Sequence, residues 1–378
     1  MELTIVVPTY NEQDTIGNLV EEINSAVGGG LAYEIVIVDD STDDTPQLLH
    51  EMSERYKHFN YIHRENERGL GSAVVEGFRH AKGKYIIVMD ADLQHPPSLI
   101  PLILERLHQV DVVIPSRFIQ GGSDGGLNSR RKAISWVART IGRWSIGRLR
   151  NISDCTSGYF GIHRSVVEDV KLAPIGWKIL MEVLVKGKHQ TVHEIPYSFV
   201  SRNIGQSKMS LREQWNYLIH VGYLIRSNPD DQRFYYFCFI GLLGVVVNLI
   251  ALIIMFDVFG IEGIAASVGA SAVAMIHNYV LNDRITWREN KVPGFLRRVL
   301  QIMQFLGISG LGILITALIV RSFLVLGWNI YFGQIAGIAI ATFWSFSANN
   351  RWTWSKGNSA EVVCAKLTVT QECSREIS

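Results

Sequence analysis

Residues 85–97 read YIIVMDADLQHPP. An apolar run ends in two carboxylates, Asp90 and Asp92, one residue apart. Alternate residues of an extended chain point to the same side, so the two anions repel unless something positive holds them. The run itself is of the kind that forms a strand buried on both faces of a parallel sheet. Three more runs share its character: LTIVV (3–7), EIVIV (34–38) and VDVVI (110–114). Helical patterns over 14–27, 44–57, 71–82 and 98–109 lie between them. Strand–helix alternation predicts an α/β, Rossmann-like unit with a parallel sheet.

Each predicted strand delivers polar residues to one edge. Pro8, Thr9, Tyr10, Asn11 and Glu12 follow the first; Asp39 and Asp40 follow the second. Asp90, Asp92 and Gln94 follow YIIVM, and Ser116 and Arg117 follow the fourth. In an open α/β sheet the carboxyl ends of the strands form the ligand-binding rim. Singly, each cluster reads equally well as a turn or helix cap, Asp40, Ser41 and Asp43 above all. Four clusters on one edge predict a site. A GxxxxGK[ST] loop is absent, and PTYNE rather than GxGxxG follows the first strand. Asp-x-Asp offers hard oxygen ligands suited to Mg²⁺ or Mn²⁺ bridging a diphosphate. Asp39 is placed to hydrogen-bond a ribose or base. A nucleotide-sugar donor site is the expectation.

The chain has 378 residues, room for two or three domains, and a net charge of +1 that points to no particular partner. Hydrophobic residues make up 48%, mean hydropathy is +0.15, and the excess lies beyond Phe234. LTIVV is too short for the apolar core of a cleavable signal. The four cysteines, 155, 238, 364 and 373, form no metal-type cluster and read as free thiols in a reducing compartment. Segments 234–256, 264–282, 299–326 and 330–348 are each long enough to cross a bilayer. This half repeats: FIGLLGVVVNLIAL (239–252) aligns with FLGISGLGILITAL (305–318), and NDRITW (282–287) with NNRWTW (349–354). The pattern predicts an all-α membrane domain of four helices, two hairpins each closed by Asn-x-Arg-x-Thr-Trp. Arg284, Arg288, Lys291, Arg297 and Arg298 fall in one loop, while DVFGIEG (257–263) carries no basic residue. The positive-inside rule then puts both termini and the first domain in the cytoplasm.

SRRKAISWVARTIGRWSIGRLR (129–150) has seven basic residues, none acidic, and two tryptophans. Helical spacing aligns Ile134, Val137, Ile141 and Trp144 on one face. With LREQWNYLIHVGYLIR (211–226) it predicts interfacial helices at a membrane surface.

VVPTYNE, VDDSTDDT, MDADLQHPP, SRF, DCTSGYFGIHR, PIGWKILMEVLVKGKH and SKM, in that order, resemble the motifs of family-2 glycosyltransferases of the dolichyl-phosphate mannose synthase type. The resemblance covers residues 1–228, and residues 234–355 resemble a GtrA-like four-helix domain. It implies a GT-A fold and inverting transfer of a hexose, mannose from GDP-mannose first, to a polyprenyl phosphate on the cytoplasmic leaflet. By position, Pro8, Tyr10, Glu12, Asp39 and Ala91 would hold the nucleotide sugar. Asp90, Asp92 and Gln94 would hold the metal and diphosphate, with Asp92 catalytic. Arg117 and Arg131 would face the acceptor phosphate. Lys178, Arg202 and Lys208 would close over the donor and product phosphates. SKM departs from the family's usual SKL, and His163 falls where members vary and takes no role.

Domains are thus expected at 1–228 and 229–356, with a disordered tail over 357–378. A processive polysaccharide synthase shares the fold but carries QxxRW, which is absent. A UDP-glucose-dependent polyprenyl-phosphate glucosyltransferase stays open, as does a nucleotide-binding membrane protein that moves lipid-linked sugar. The hexose, base, polyprenol and oligomeric state are not fixed by sequence.

Overall fold

A computed structural model of the chain describes residues 1–123, 125, 129–198, 211–290 and 294–354. It divides into two compact units, Met1–Asp231 and Gln232–Ser378.

The first unit is a seven-stranded sheet. Its strands are β1 Leu3–Thr9, β2 Tyr33–Asp39, β3 Phe59–His63, β4 Tyr85–Val88, β5 Val112–Ser116, β6 Phe160–His163 and β7 Val192–Pro196, in the order β3-β2-β1-β4-β6-β5-β7. The four expected strands are present within two residues at either end. The wholly parallel sheet is not: β6 runs antiparallel to both β4 and β5. Strands β3, β6 and β7 lie outside the four runs read from sequence. Two of them, NYIH (60–63) and VHEIP, mix polar with apolar residues because they are only partly buried.

Helices α1 Ile16–Val27, α2 Thr45–Arg55, α3 Leu70–His80 and α4 Ile100–Leu107 connect the strands of this sheet. Strand β1 shows why its apolar run is continuous. Ile5 and Val7 join one core with Leu19, Ile23 and Ile103, from α1 and α4. Val6 joins the other core with Val74 and Phe78 of α3. A Cβ at Gly77 would lie 2.3 Å from Val6 Cγ1, so α3 approaches the sheet only because that residue is glycine. Helices α5 Ser129–Ser145, α6 Ile179–Lys186 and α7 Leu211–Ser227 complete the unit.

Strand order reverses between β1 and β4. Their carboxyl ends therefore flank the switch point at which such sheets open a crevice.

The second unit contains α8 Pro229–Ile253, which begins at the unit boundary, α9 Gly263–Leu281, α10 Phe295–Val325 and α11 Ile330–Ala348. Helix α10 and the stretch Pro229–Val258 are long and apolar enough to cross a membrane by length and composition. The sequence repeat becomes a pair of interlocked turns. Asn282–Thr286 and Asn349–Thr353 are π-helical turns, and each Thr donates to its own Asn, at 2.7 and 2.8 Å. Trp287 and Trp354 stack at 4.2 Å and 4°. Trp287 Nε1 donates to Asn350, and Trp354 Nε1 donates to Asp283, the equivalent residue of the other half.

Candidate active site

At the β1–β2–β3 end the polar residues are largely committed to one another. Asp39 is fully buried and accepts from Thr9 Oγ1 (2.8 Å) and Ser41 Oγ (2.5 Å), with His63 Nδ1 at 2.7 Å. Asp40 takes a two-point bond from Arg64, at 2.8 and 2.7 Å, and the Gly69 N–H at 2.9 Å. Of Asp40, Ser41 and Asp43, Asp43 bonds to the start of α2, accepting from Thr45 N–H and Oγ1, while the cap position itself is Asp44. The cap reading of Asp40 and Ser41 thus gives way to a network that closes on β3. Sequence inspection missed His63 and Arg64, although they follow an extended stretch as the other polar clusters do. Pro8 is buried, Tyr10 lies on the surface with Arg68 5.8 Å from its ring centroid, and Glu12 accepts from Thr15 Oγ1. Asn11 holds φ +55, and its side chain accepts the Thr42 N–H across the gap.

The β4 end has a similar turn. Leu93 holds φ +59, a left-handed conformation that is strained for a branched side chain. Asp92 Oδ1 accepts the Gln94 N–H at 3.1 Å. His95 turns back beneath the pair: its Nδ1 accepts the Asp90 N–H at 3.0 Å and its ring stacks on Tyr159 at 5.0 Å. Burial pushes His95 below its ordinary value, and with Nδ1 accepting the Asp90 N–H the neutral ring carries its proton on Nε2. Ala91 is buried. A Cβ at Gly158 would lie 3.1 Å from Asp90 Oδ2, so the SGY stretch (157–159) is fitted against that carboxylate.

The β5 end supplies positive charge. Arg117 makes a two-point bond to buried Asp154, at 2.9 and 3.2 Å. Asp154 is itself placed by Glu194 of β7, whose carboxylate takes the N–H groups of Ser153 and Asp154. Arg139 stacks 3.8 Å over Phe118 and donates to Ser153 O. Lys178 Nζ donates to Thr156 O at 3.0 Å. Burial pushes its ammonium down and nearby Arg117 adds to this, while Asp154 and Asp90 oppose. Arg117, Asp154, Asp90 and Asp92 all act on the Tyr197 hydroxyl, which burial pushes well above its ordinary range. Two strand ends, those of β4 and β5, thus bring Asp90, Asp92 and Arg117 near Lys178 at the start of α6. Asp154, Glu194, His95 and Gly158 support them and had drawn no role from the sequence. Asp154 opens the quoted motif DCTSGYFGIHR, which was its only signal.

Among the described residues there is no group of three or more His, Cys, Asp or Glu that could hold a metal. Two rim carboxylates still fit Mg²⁺ or Mn²⁺, which bind through one or two carboxylates and complete their shell with phosphate oxygens and water. Arg131 belongs to α5, but its side chain lies outside the described residues, as do Arg202, Lys208 and the tail at 357–378.

Helix α5 does not present the expected face. Ile141 packs into the core with Ala138, and Gly142 abuts Met181 and Tyr217. Val137 and Trp144 point outward with Trp136; the tryptophans are 83% and 58% exposed, respectively. The apolar stripe was split because one side of the helix serves the core. Helix α7 behaves alike, burying Tyr217, Val221 and Leu224 and exposing Trp215, Leu218 and Ile219.

Comparison with known proteins matches residues 4–171 to glycosyl transferase family 2 and residues 236–354 to the GtrA/DPMS transmembrane domain. The dolichol-phosphate mannosyltransferase of Pyrococcus furiosus is 35% identical over 94% of this chain and 100% of its own length. This chain belongs to the dolichol-phosphate mannosyltransferase family. Its Saccharomyces cerevisiae relative of that name is 34% identical, covering 56% of this chain and 82% of its own. The undecaprenyl-phosphate mannosyltransferase of Micrococcus luteus is 31% identical over 56% of this chain and 88% of its own. A solved Mycobacterium tuberculosis glucosyl-3-phosphoglycerate synthase, bound to Mn²⁺ and UDP-glucose, aligns with 58% of this chain and 80% of its own at 19% identity and TM-score 0.44, a likeness too slight to build on. As a family member, this protein is a polyprenyl-phosphate glycosyltransferase with an α/β GT-A catalytic unit and a helical membrane unit.

Proposed function

We propose that this enzyme transfers mannose from GDP-mannose to a polyprenyl phosphate, with inversion, on the cytoplasmic face of a membrane crossed four times. The observation that carries the reading is that Asp90 and Asp92, at the β4 end beside the switch point, share one electrostatic neighbourhood with Arg117 of the β5 end and Lys178 at the start of α6. A domain division near residue 228 is supported by the two compact units, the first of which ends at Asp231.

Pro8, Tyr10, Glu12, Asp39 and Ala91 line the nucleotide side in this reading. Asp39 acts through its partners, since its own carboxylate is buried among Thr9, Ser41 and His63. Asp90, Asp92 and Gln94 hold Mg²⁺ or Mn²⁺, which when bound neutralises the departing diphosphate. Arg117 and Arg131 hold the acceptor phosphate, and Lys178, Arg202 and Lys208 close over the donor and product. A lipid phosphate is largely ionised at neutral pH, its second pKa being about 6. It attacks the anomeric carbon without a protein base. The barrier is the repulsion between two phosphorylated reactants, and the fixed guanidinium and ammonium groups lower it by positioning and charge. Neutral His95, its Nδ1 occupied by the Asp90 N–H, serves to set that turn rather than to accept a proton. Trp136, Trp144 and Trp215 seat this unit on the headgroups.

The test is transfer of radiolabel to added polyprenyl phosphate in membranes, with GDP-mannose and UDP-glucose in parallel. Labelled lipid from GDP-mannose alone is the expected result. Label from UDP-glucose alone would overturn the choice of sugar.

A further inference from the structure

Helix α6 carries a buried charge that the proposed chemistry does not use. Glu182 is fully buried, one helical turn beyond Lys178. Its Oε1 accepts the Ala173 N–H at 2.8 Å and Lys186 Nζ at 2.5 Å. Its Oε2 lies 3.4 Å from Nε2 of His220, a fully buried residue of α7. Lys186 also donates to Tyr223 Oη at 3.0 Å and sits 4.3 Å over that ring. Two residues of α7, a turn apart, therefore grip two residues of α6, also a turn apart. Burial pushes the Glu182 carboxyl up, but the nearby His220 ring and the bonds from Ala173 N–H and Lys186 outweigh it and hold the group below its ordinary range.

Apolar residues of similar volume commonly pack as stably as a buried ion pair, so helix packing alone does not account for this cluster. The segment it pins does. Ala173 begins a stretch that ends at Lys178, whose Nζ reaches Thr156 O beside Asp154. Within it Gly176 holds φ +82, and a Cβ there would lie 3.2 Å from Glu213 Oε2 of α7. On the other side, a Cβ at Gly71 of α3 would lie 2.5 Å from Gly176 O. The stretch is wedged between α3 and α7 and pinned by Glu182. The opposite face of α7 exposes Trp215, Leu218 and Ile219, with Tyr223 at its margin.

We propose that Glu182, with Lys186, His220 and Tyr223, is a positioning device through which the seating of α7 on a lipid surface sets Lys178 for the donor phosphates. The inference rests on the reading of Lys178 given above. Glu182 touches no reacting atom in it. It fixes the chain that carries the lysine.

The test uses full-length wild type, Lys178→Ala, Glu182→Gln and Lys186→Met. Each is assayed with GDP-mannose and polyprenyl phosphate, in detergent micelles and in phosphatidylcholine–phosphatidylglycerol vesicles, with thermal midpoints recorded. Glu182→Gln should raise KM for the nucleotide sugar about tenfold while kcat stays within about threefold, the mark of a misplaced binding group. It should also erase the fall in KM that wild type shows on moving from micelles to vesicles. Lys186→Met should do the same to a smaller degree, and it decides the matter if Glu182→Gln does not fold. A lower thermal midpoint with KM unchanged in both media overturns the proposal. So does a wild type whose KM ignores the vesicles. If Lys178→Ala raises KM while both neighbours match wild type, only this inference falls. If Lys178→Ala changes nothing, the reading of Lys178 falls first and takes the inference with it.

Discussion

In the catalytic unit, Asp90 and Asp92 stand at a strand end with Arg117 and Lys178 held close by Asp154 and Thr156. In the helical unit, the polar residues of two matching turns are spent on each other: Thr286 on Asn282, Thr353 on Asn349, and each tryptophan on the opposite half. Both are clusters of polar groups, yet they behave differently. The helical cluster is reciprocal: Asn350 and Asp283 each accept from the tryptophan of the opposite half, so folding supplies its main partners. The rim gathers like charges beside fixed cations, an arrangement that gains from a bound cation and phosphates. Reciprocal pairing marks a structural network, and a crowd of like charges at a crevice marks a candidate site.

Substitutions test that contrast. The largest effect should come from Asp92→Ala, which should cut mannose transfer by about 10³-fold or more. Chelation with EDTA should match it and Mn²⁺ should reverse the chelation, with the thermal midpoint nearly unmoved. Wild-type rates for Asp92→Ala with metal present would erase the distinction drawn here. Trp354→Ala should do the reverse: it should destabilise the helical unit by about 3–5 kcal/mol in denaturant titration and leave transfer per folded molecule nearly constant. Arg117→Lys keeps the charge but loses the two-point bond to Asp154, and a loss of about 10–100-fold in kcat/KM is expected. The smallest effect concerns Glu182. Its folded pKa lies below the ordinary 4.5, so its ionised form adds stability above that value and loses it as pH falls through the folded pKa. The gap in thermal midpoint between wild type and Glu182→Gln should therefore shrink below pH 4.5. A gap that widens there would show that the carboxylate is not the stabilising form.

The strands legible in the sequence were those buried on both faces, because burial demands an unbroken apolar run. Strands β3 and β7 escaped notice because each is only partly covered, and β6 because the run FGI is short. Strand direction was misjudged for a related reason: nothing in FGIH distinguishes an antiparallel strand from a parallel one. On α5 the expected stripe joined Ile141 to Trp144, but one faces the core and the other faces outward. Spacing gives the angle between two side chains; what lies on either side of the helix comes only from its neighbours.

The sequence by itself determined the order of strands and helices at the start of the chain, the apolar helices at its end and the repeat that links their hairpins. Local periodicity and the length of apolar runs encode those features. It also determined that Asp90 and Asp92 follow a strand, since neighbours in sequence stay neighbours in space. Tertiary structure alone decided that Arg117 would be held by Asp154, 37 residues away, that Asp39 would be enclosed by Thr9, Ser41 and His63, and that Trp287 would stack on Trp354. Such pairings depend on where distant chain segments meet, and that is fixed by packing rather than by the local pattern of residues.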